Sequence, residues 1–162
     1  MRDENATIAD YQALKREETI AKKRKEIEED AAHHYFDRLG LGVDFTARDL
    51  QAVMKKKGLP WEVAKAFDSS APVSELLPVT GYTNLKQLSF RLDRNGSTVQ
   101  EGNTSLMIFS IEKIIAYVSR FITLKEGDLI FTGTPAGVGP VQPGDHLEAY
   151  LEGDKLLDFH VK

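Results

Sequence analysis

The segment Gly42-Val-Asp-Phe-Thr-Ala-Arg-Asp-Leu-Gln51 constrains this chain more than any other stretch. Leu39 to Phe45 reads as a short apolar strand, and the chain turns at once into a helix that starts at Thr46 and runs to Lys56. Gly58 and Pro60 stop that helix. A carboxylate, Asp44, therefore stands at the strand end, with Arg48 and Gln51 one helical turn apart near the same mouth. The residues alone leave two roles open for Asp44. Asp is a favoured helix N-cap, and a carboxylate facing a cleft is a hard oxygen ligand for Mg2+ or Mn2+. Arg48 is likewise either a fork for a substrate carboxylate or half of a salt bridge on the helix surface.

Strands dominate the remainder. Gln87 to Asp93 alternates with period two, and Arg94-Asn-Gly-Ser97 supplies the positive-φ residues of a hairpin turn, so Thr98 to Glu101 pairs back. Ile111, Ile114, Ile115 and Val118 have helical spacing within Ile111 to Phe121. Asp128 to Thr132 reads as a buried strand, and His146 to Leu151 with Leu156 to Val161 form a closing hairpin around Glu152-Gly-Asp-Lys155. His146 and His160 on that hairpin read as surface or packing residues. Many short strands with few helices predict an α/β, β-rich mixed sheet rather than a doubly wound one.

Residues 1–30 differ in kind. They are rich in Lys, Glu and Ala, with apolar residues too sparse for a buried stripe. Thr7 to Lys25 reads as a mostly exposed helix, supported by pairs such as Glu18 with Lys22, and Glu26 to Tyr35 as a second helical turn. The division expected is a charged helical insertion or surface segment at 1–30, or a docking helix, followed by a catalytic domain at 31–162.

At 162 residues, 41% hydrophobic and 28% charged, the chain suits one globular domain. A net charge of −4 gives no reason to expect a nucleic acid or an anionic membrane as partner. With no cysteine, disulfides, thiolate zinc sites and cysteine nucleophiles are excluded. No apolar run approaches the ~20 residues of a membrane helix, and the first residues lack the apolar core of a secretory signal. A cytoplasmic or mitochondrial matrix protein is expected, not a secreted one.

Two further segments complete a pattern: Lys57-Gly-Leu-Pro-Trp-Glu-Val-Ala-Lys-Ala-Phe-Asp68 and Phe131-Thr-Gly-Thr-Pro-Ala-Gly-Val-Gly-Pro140. With Gly42 to Gln51, in this order and at these separations, they resemble the fumarylacetoacetate hydrolase family, nearest its acylpyruvate hydrolase and oxaloacetate decarboxylase-like members. The resemblance runs from about Ala31 to the C-terminus. It implies the family's β-roll, a rolled mixed sheet with short helices, incomplete here at its N-terminus. It implies Asp44 as a ligand of Mg2+ or Mn2+, Lys65 as the catalytic ammonium that offsets an enolate, and Arg48, Gln51 and Thr134 as substrate-binding groups. Ser69 matches a hydroxyl that supports the ion in some relatives, and an ordinary turn residue fits it equally.

The reaction implied is hydrolysis of a C–C bond in an acylpyruvate, or decarboxylation of oxaloacetate, through an enolate of a small α-keto acid. The family's two other acidic ligands, its lid and its general base match nothing here, and His33-His34 stands at the wrong distance from Asp44. The expectation is therefore the C-terminal two-thirds of a homodimeric enzyme, prone to self-association alone. The alternative is a non-catalytic paralogue, or truncated product, that retains the fold as an assembly subunit.

Overall fold

The computed structural model describes residues 4–6, 8–14 and 25–162. Its strands are β1 (Glu4–Ala6), β2 (Ile8–Leu14), β3 (Phe36–Val43), β4 (Thr46–Ala47), β5 (Leu77–Pro78), β6 (Ser89–Arg94), β7 (Ser97–Asn103), β8 (Leu129–Phe131), β9 (Gly139–Val141), β10 (His146–Leu151) and β11 (Asp154–His160). Two α-helices, α1 (Arg48–Lys57) and α2 (Ile111–Ser119), join them. The strands form three sheets, ordered β4-β1-β9, β11-β10-β6-β7 and β5-β3-β2-β8. The fold is thus α/β and sheet-rich, as expected, and the pairings described are all antiparallel.

The main core lies between two of these sheets. Leu39, Leu41, Val43 and Phe45 project from β3 and its extension against Leu88, Phe90 and Leu92 on one side of the second sheet and Leu147, Ala149 and Leu151 on its neighbour β10. Alternation in β10 is strict, with Leu147, Ala149 and Leu151 buried and the residues between them partly exposed. On β3 the glycines are buried as well. A Cβ on Gly40 would meet Ser74 Oγ at 2.8 Å, so glycine there lets the segment 73–76 pass close by. A second cluster packs Ile111, Ile115 and Leu124 against Ile27, Ala32 and Phe36. Ser119, fully buried, ties it down by accepting the Ile27 N–H at 2.9 Å and donating to the Ala116 carbonyl at 2.9 Å.

Both hairpins form where turn chemistry placed them. Asn95 and Gly96 have φ of 52° and 78°, and Glu152 and Gly153 have φ of 51° and 94°. α1 ends on Gly58 at φ 65°, with the Gly58 and Leu59 N–H groups bonded back to the carbonyls of Lys55 and Met54.

Three expectations are corrected. The helix from Thr7 to Lys25 gives way to a strand over Ile8–Leu14, which pairs with β3 on one side and β8 on the other, while residues 15–24 lie outside those described. A Lys/Glu-rich composition carries only weak local helix preference, and two flanking strands outweigh it. Of Glu26 to Tyr35, Glu29–His34 forms a 3-10 turn. Helix α1 starts at Arg48 rather than Thr46, because Thr46 and Ala47 pair with β1. The strand at Asp128 to Thr132 exists over Leu129–Phe131 but is not buried, for β8 is an edge strand with Leu129 and Phe131 exposed.

Candidate functional site

Strand direction brings the three sequence segments to one place. β3 and β8 both run antiparallel to β2 between them, so they point the same way. Val43 pairs opposite Ile8, and Phe131 opposite Tyr11, so both strands end toward the same edge of the sheet. Beyond that edge each chain crosses to the β4-β1-β9 sheet, where Asn5 pairs with Thr46 on one side and Pro140 on the other. The two crossings are Asp44-Phe45 and Thr132 to Val138. The metal-ligand candidate and the glycine-rich turn, about ninety residues apart in sequence, thus leave one edge together.

Lys65 reaches this edge by a separate route. After α1, a 3-10 turn at Glu62–Ala64 reverses the chain, which then runs back beside β3. The Phe45 N–H donates to the Ser70 carbonyl at 2.8 Å and the Val43 N–H to the Pro72 carbonyl at 3.0 Å. This holds Lys65 Nζ 2.5 Å from Asp44 Oδ2 and 2.9 Å from Thr46 Oγ1. Ala64 is fully buried and anchors the turn, whereas Ala66 on the other side of Lys65 is exposed. The pair is partly shielded, with side chains 31% and 34% exposed.

The helix-cap role for Asp44 is excluded. Ala47 occupies the N-cap of α1, and no side chain caps it. Arg48 donates through a guanidinium N–H to Gln51 Oε1 at 2.7 Å, and Gln51 is buried, so the two form a linked unit on the first turn of α1. Ser69 is exposed at φ 63°, a turn residue whose neighbour Ser70 makes the bond to the strand. Thr134 sits in the crossing loop, where its Oγ1 accepts from Gln100 Nε2 at 3.3 Å. Sequence reasoning passed over Thr46 and Gln100. Thr46 was legible, since an extended chain puts residues two apart on one side, here Asp44 and Thr46. Gln100 was not, because only sheet packing carries β7 to the loop.

A resident divalent ion finds one carboxylate at this edge among the described residues. Octahedral Mg2+ or Mn2+ requires several oxygens, and the ammonium 2.5 Å from Asp44 supplies the compensating charge. The described residues therefore do not by themselves fit such an ion. Elsewhere, His146, Glu148 and Asp158 could converge on a cation. Lys155 Nζ is bonded to both carboxylates, at 3.0 Å to Glu148 and 2.5 Å to Asp158, and so provides the positive charge there. The hydrogen bond from His146, followed by that from Lys155, holds the Asp158 carboxyl down at about 2. Its partners push Lys155 upward. The ring of His146 also stacks on that of His160, centroids 4.5 Å apart, in keeping with packing roles for both.

A cleft of about 470 Å3 lies between the first part of the crossing loop, Thr132 to Ala136, and Leu106 to Phe109. Thr134 lines it, whereas neither Asp44 nor Lys65 does. Among the described residues, no helix is long and apolar enough to cross a membrane.

The chain is similar to several named proteins and solved structures. Over 143 residues the chain is 50% identical to the mouse oxaloacetate tautomerase FAHD1, mitochondrial, covering 88% of this chain and 65% of that protein. Over 118 residues it is 48% identical to the oxaloacetate tautomerase YcgM of Escherichia coli (strain K12), covering 72% and 54%. The crystal structure of fumarylpyruvate hydrolase from Pseudomonas aeruginosa in complex with Mn2+ and pyruvate superposes with a TM-score of 0.85 at 33% identity, covering 95% of this chain and 64% of that one. The chain thus spans just under two-thirds of the length of the mouse relative. The family model described as fumarylacetoacetate (FAA) hydrolase C-terminal matches residues 19–161, taking in Asp44, Lys65 and the glycine-rich crossing loop alike, and the chain belongs to the fumarylacetoacetate hydrolase family.

Proposed function

We propose that this chain supplies the substrate-facing edge of an enzyme that forms and stabilises the enolate of a small α-keto acid, with oxaloacetate the first candidate. The observation that carries the reading is Lys65, whose ammonium contacts both Asp44 and Thr46 at the edge where the Thr132 to Val138 loop departs. Two of its three N–H bonds are directed at those oxygens, and among the described residues the third is left for an incoming acceptor. Negative charge that builds on the keto oxygen of a substrate as the enolate forms would meet a donor already in place, which is where electrostatic stabilisation is largest. Arg48, held by Gln51, and the Thr134 hydroxyl would take the carboxylates of the substrate.

Keto–enol interconversion needs only a proton moved from C3 of oxaloacetate to the keto oxygen. Decarboxylation instead leaves the enolate of pyruvate as CO2 departs, and hydrolysis of an acylpyruvate releases that pyruvate enolate as the C–C bond breaks. The names of the mouse and Escherichia coli relatives favour the first of these. A Mg2+ or Mn2+ ion would need oxygens beyond Asp44 to bind here, and would then supply Lewis-acid polarisation of the keto acid. The names of the mammalian relatives favour a mitochondrial location over the cytoplasm, and a homodimer is the assembly proposed.

The test is the ultraviolet decay of enol-oxaloacetate, with and without Mn2+. The chain should accelerate ketonisation, and Lys65→Met should lower kcat by about tenfold or more, since the charge it removes counts most in the transition state. A rate no faster than buffer, with or without Mn2+, would favour the non-catalytic assembly subunit. A change confined to KM would make Lys65 a substrate anchor.

A further inference from the structure

We propose that Gln100 is the positioning residue of the crossing loop and fixes the direction in which Thr134 offers its hydroxyl proton. The inference rests on the reading of Thr134 as a substrate-binding group. Gln100 lies in β7 and is only 2% exposed. Its Nε2 is 3.3 Å from Thr134 Oγ1 and 3.2 Å from the Pro135 carbonyl oxygen. A carbonyl oxygen can only accept, so the amide nitrogen, not the amide oxygen, faces the loop. Both N–H bonds are then committed, one to each acceptor. A hydroxyl that accepts from Gln100 must direct its own O–H elsewhere. Thr134 is thereby set as a donor, the polarity that a carboxylate or an enolate oxygen requires and a cation does not.

The rest of the loop is seated just as closely on this strand. Gly137 has φ 103°, and a Cβ there would come within 2.4 Å of the Val99 carbonyl oxygen. A Cβ on Gly102 would strike the Phe90 ring at 2.6 Å and lie 3.1 Å from Pro135. Two glycines thus allow β7 and the loop to approach closely, backbone against backbone at Gly137, and the buried amide between them decides the polarity of the hydroxyl.

The experiment is an NMR titration of the chain with pyruvate, following the loop amides. It compares wild type, Gln100→Glu, Gln100→Met, Thr134→Val and the double variant Gln100→Met/Thr134→Val. Glu accepts where Gln donates and should turn the hydroxyl inward, weakening pyruvate by about tenfold, and Met should weaken it less. If Gln100 acts through Thr134, the two losses will not add, and the double variant should fall within about threefold of Thr134→Val alone. Unperturbed core hairpin resonances will show that each variant is folded. If Thr134→Val weakens pyruvate while Gln100→Glu and Gln100→Met bind like wild type, the role of Gln100 is overturned and the site reading stands. Fully additive losses would also overturn it, reducing Gln100 to a packing residue. If Thr134→Val binds like wild type, or if wild type shows no pyruvate-dependent shift, Thr134 is not a substrate group and both readings fall.

Discussion

Removing Lys65 tests whether Asp44 is held in place before any substrate or ion arrives. Lys65 Nζ and Asp44 Oδ2 are 2.5 Å apart, and Thr46 Oγ1 takes a second N–H at 2.9 Å. At about 3 Å, the attraction of two unit charges is roughly 1.4 kcal/mol in water and about 5 kcal/mol at an effective dielectric of 20. Desolvation offsets much of the larger figure, and hydrogen bonds to charged groups contribute a net of about 1.5–3 kcal/mol. With both side chains about one-third exposed, solvent screening lowers that further, to a coupling of about 1–2 kcal/mol. The assay is a double-mutant cycle by urea denaturation: Lys65→Met, Asp44→Ala and both together. Each single variant should be less stable than wild type, and the double should be less destabilised than the sum. The coupling should persist in moderate salt, because a partly buried pair is screened less than an exposed one. A coupling below about 0.3 kcal/mol would refute the reasoning. It would mean that Lys65 does not hold Asp44 in place, and that the ammonium is not preorganised for an enolate.

Three other outcomes follow from the geometry. The Asp158 carboxyl is held at about 2, below its unfolded value, so its interactions with His146 and Lys155 stabilise the fold above about pH 4 and are lost as pH falls through about 2; the gap in urea midpoint between wild type and Asp158→Asn should be present at neutral pH and close on acidification over that window. Gly137→Ala should cost about 2 kcal/mol or more in a urea melt, since an L side chain at φ 103° is strained and its Cβ would press on the Val99 carbonyl. Leu106 and Ile108 are 79% and 90% exposed, beside an exposed Phe109, so light scattering should show self-association at micromolar concentrations that Ile108→Glu reduces; a stable monomer across that range would remove the case for a dimer through this surface.

Local chemistry determined by itself most of the elements and much of the candidate site. The Asn95-Gly96 turn and Gly153 in the second turn have residues that adopt positive φ at little cost, and Gly58 stops α1 for the same reason. The alternation of Leu147, Ala149 and Leu151 makes a one-face-buried strand whatever it packs on. Asp44, Lys65 and the Thr132 to Val138 turn were legible as a set because their residue types and spacing match the family to which the chain belongs. The tertiary structure decided what depends on partners distant in sequence. Ile8–Leu14 is a strand because β3 and β8 flank it, although charged neighbours suggested a helix. β8 is exposed because it ends the sheet, which no run of apolar residues can state. Asp44 is an ion-pair partner rather than a cap because Thr46 and Ala47 are drawn into pairing with β1, delaying the helix to Arg48. Gln100 meets Thr134 because β7 packs against a loop more than thirty residues further along the chain. Turn propensity and side-chain alternation act over a few residues, whereas strand pairing and backbone-to-backbone contact are settled only when the whole sheet closes.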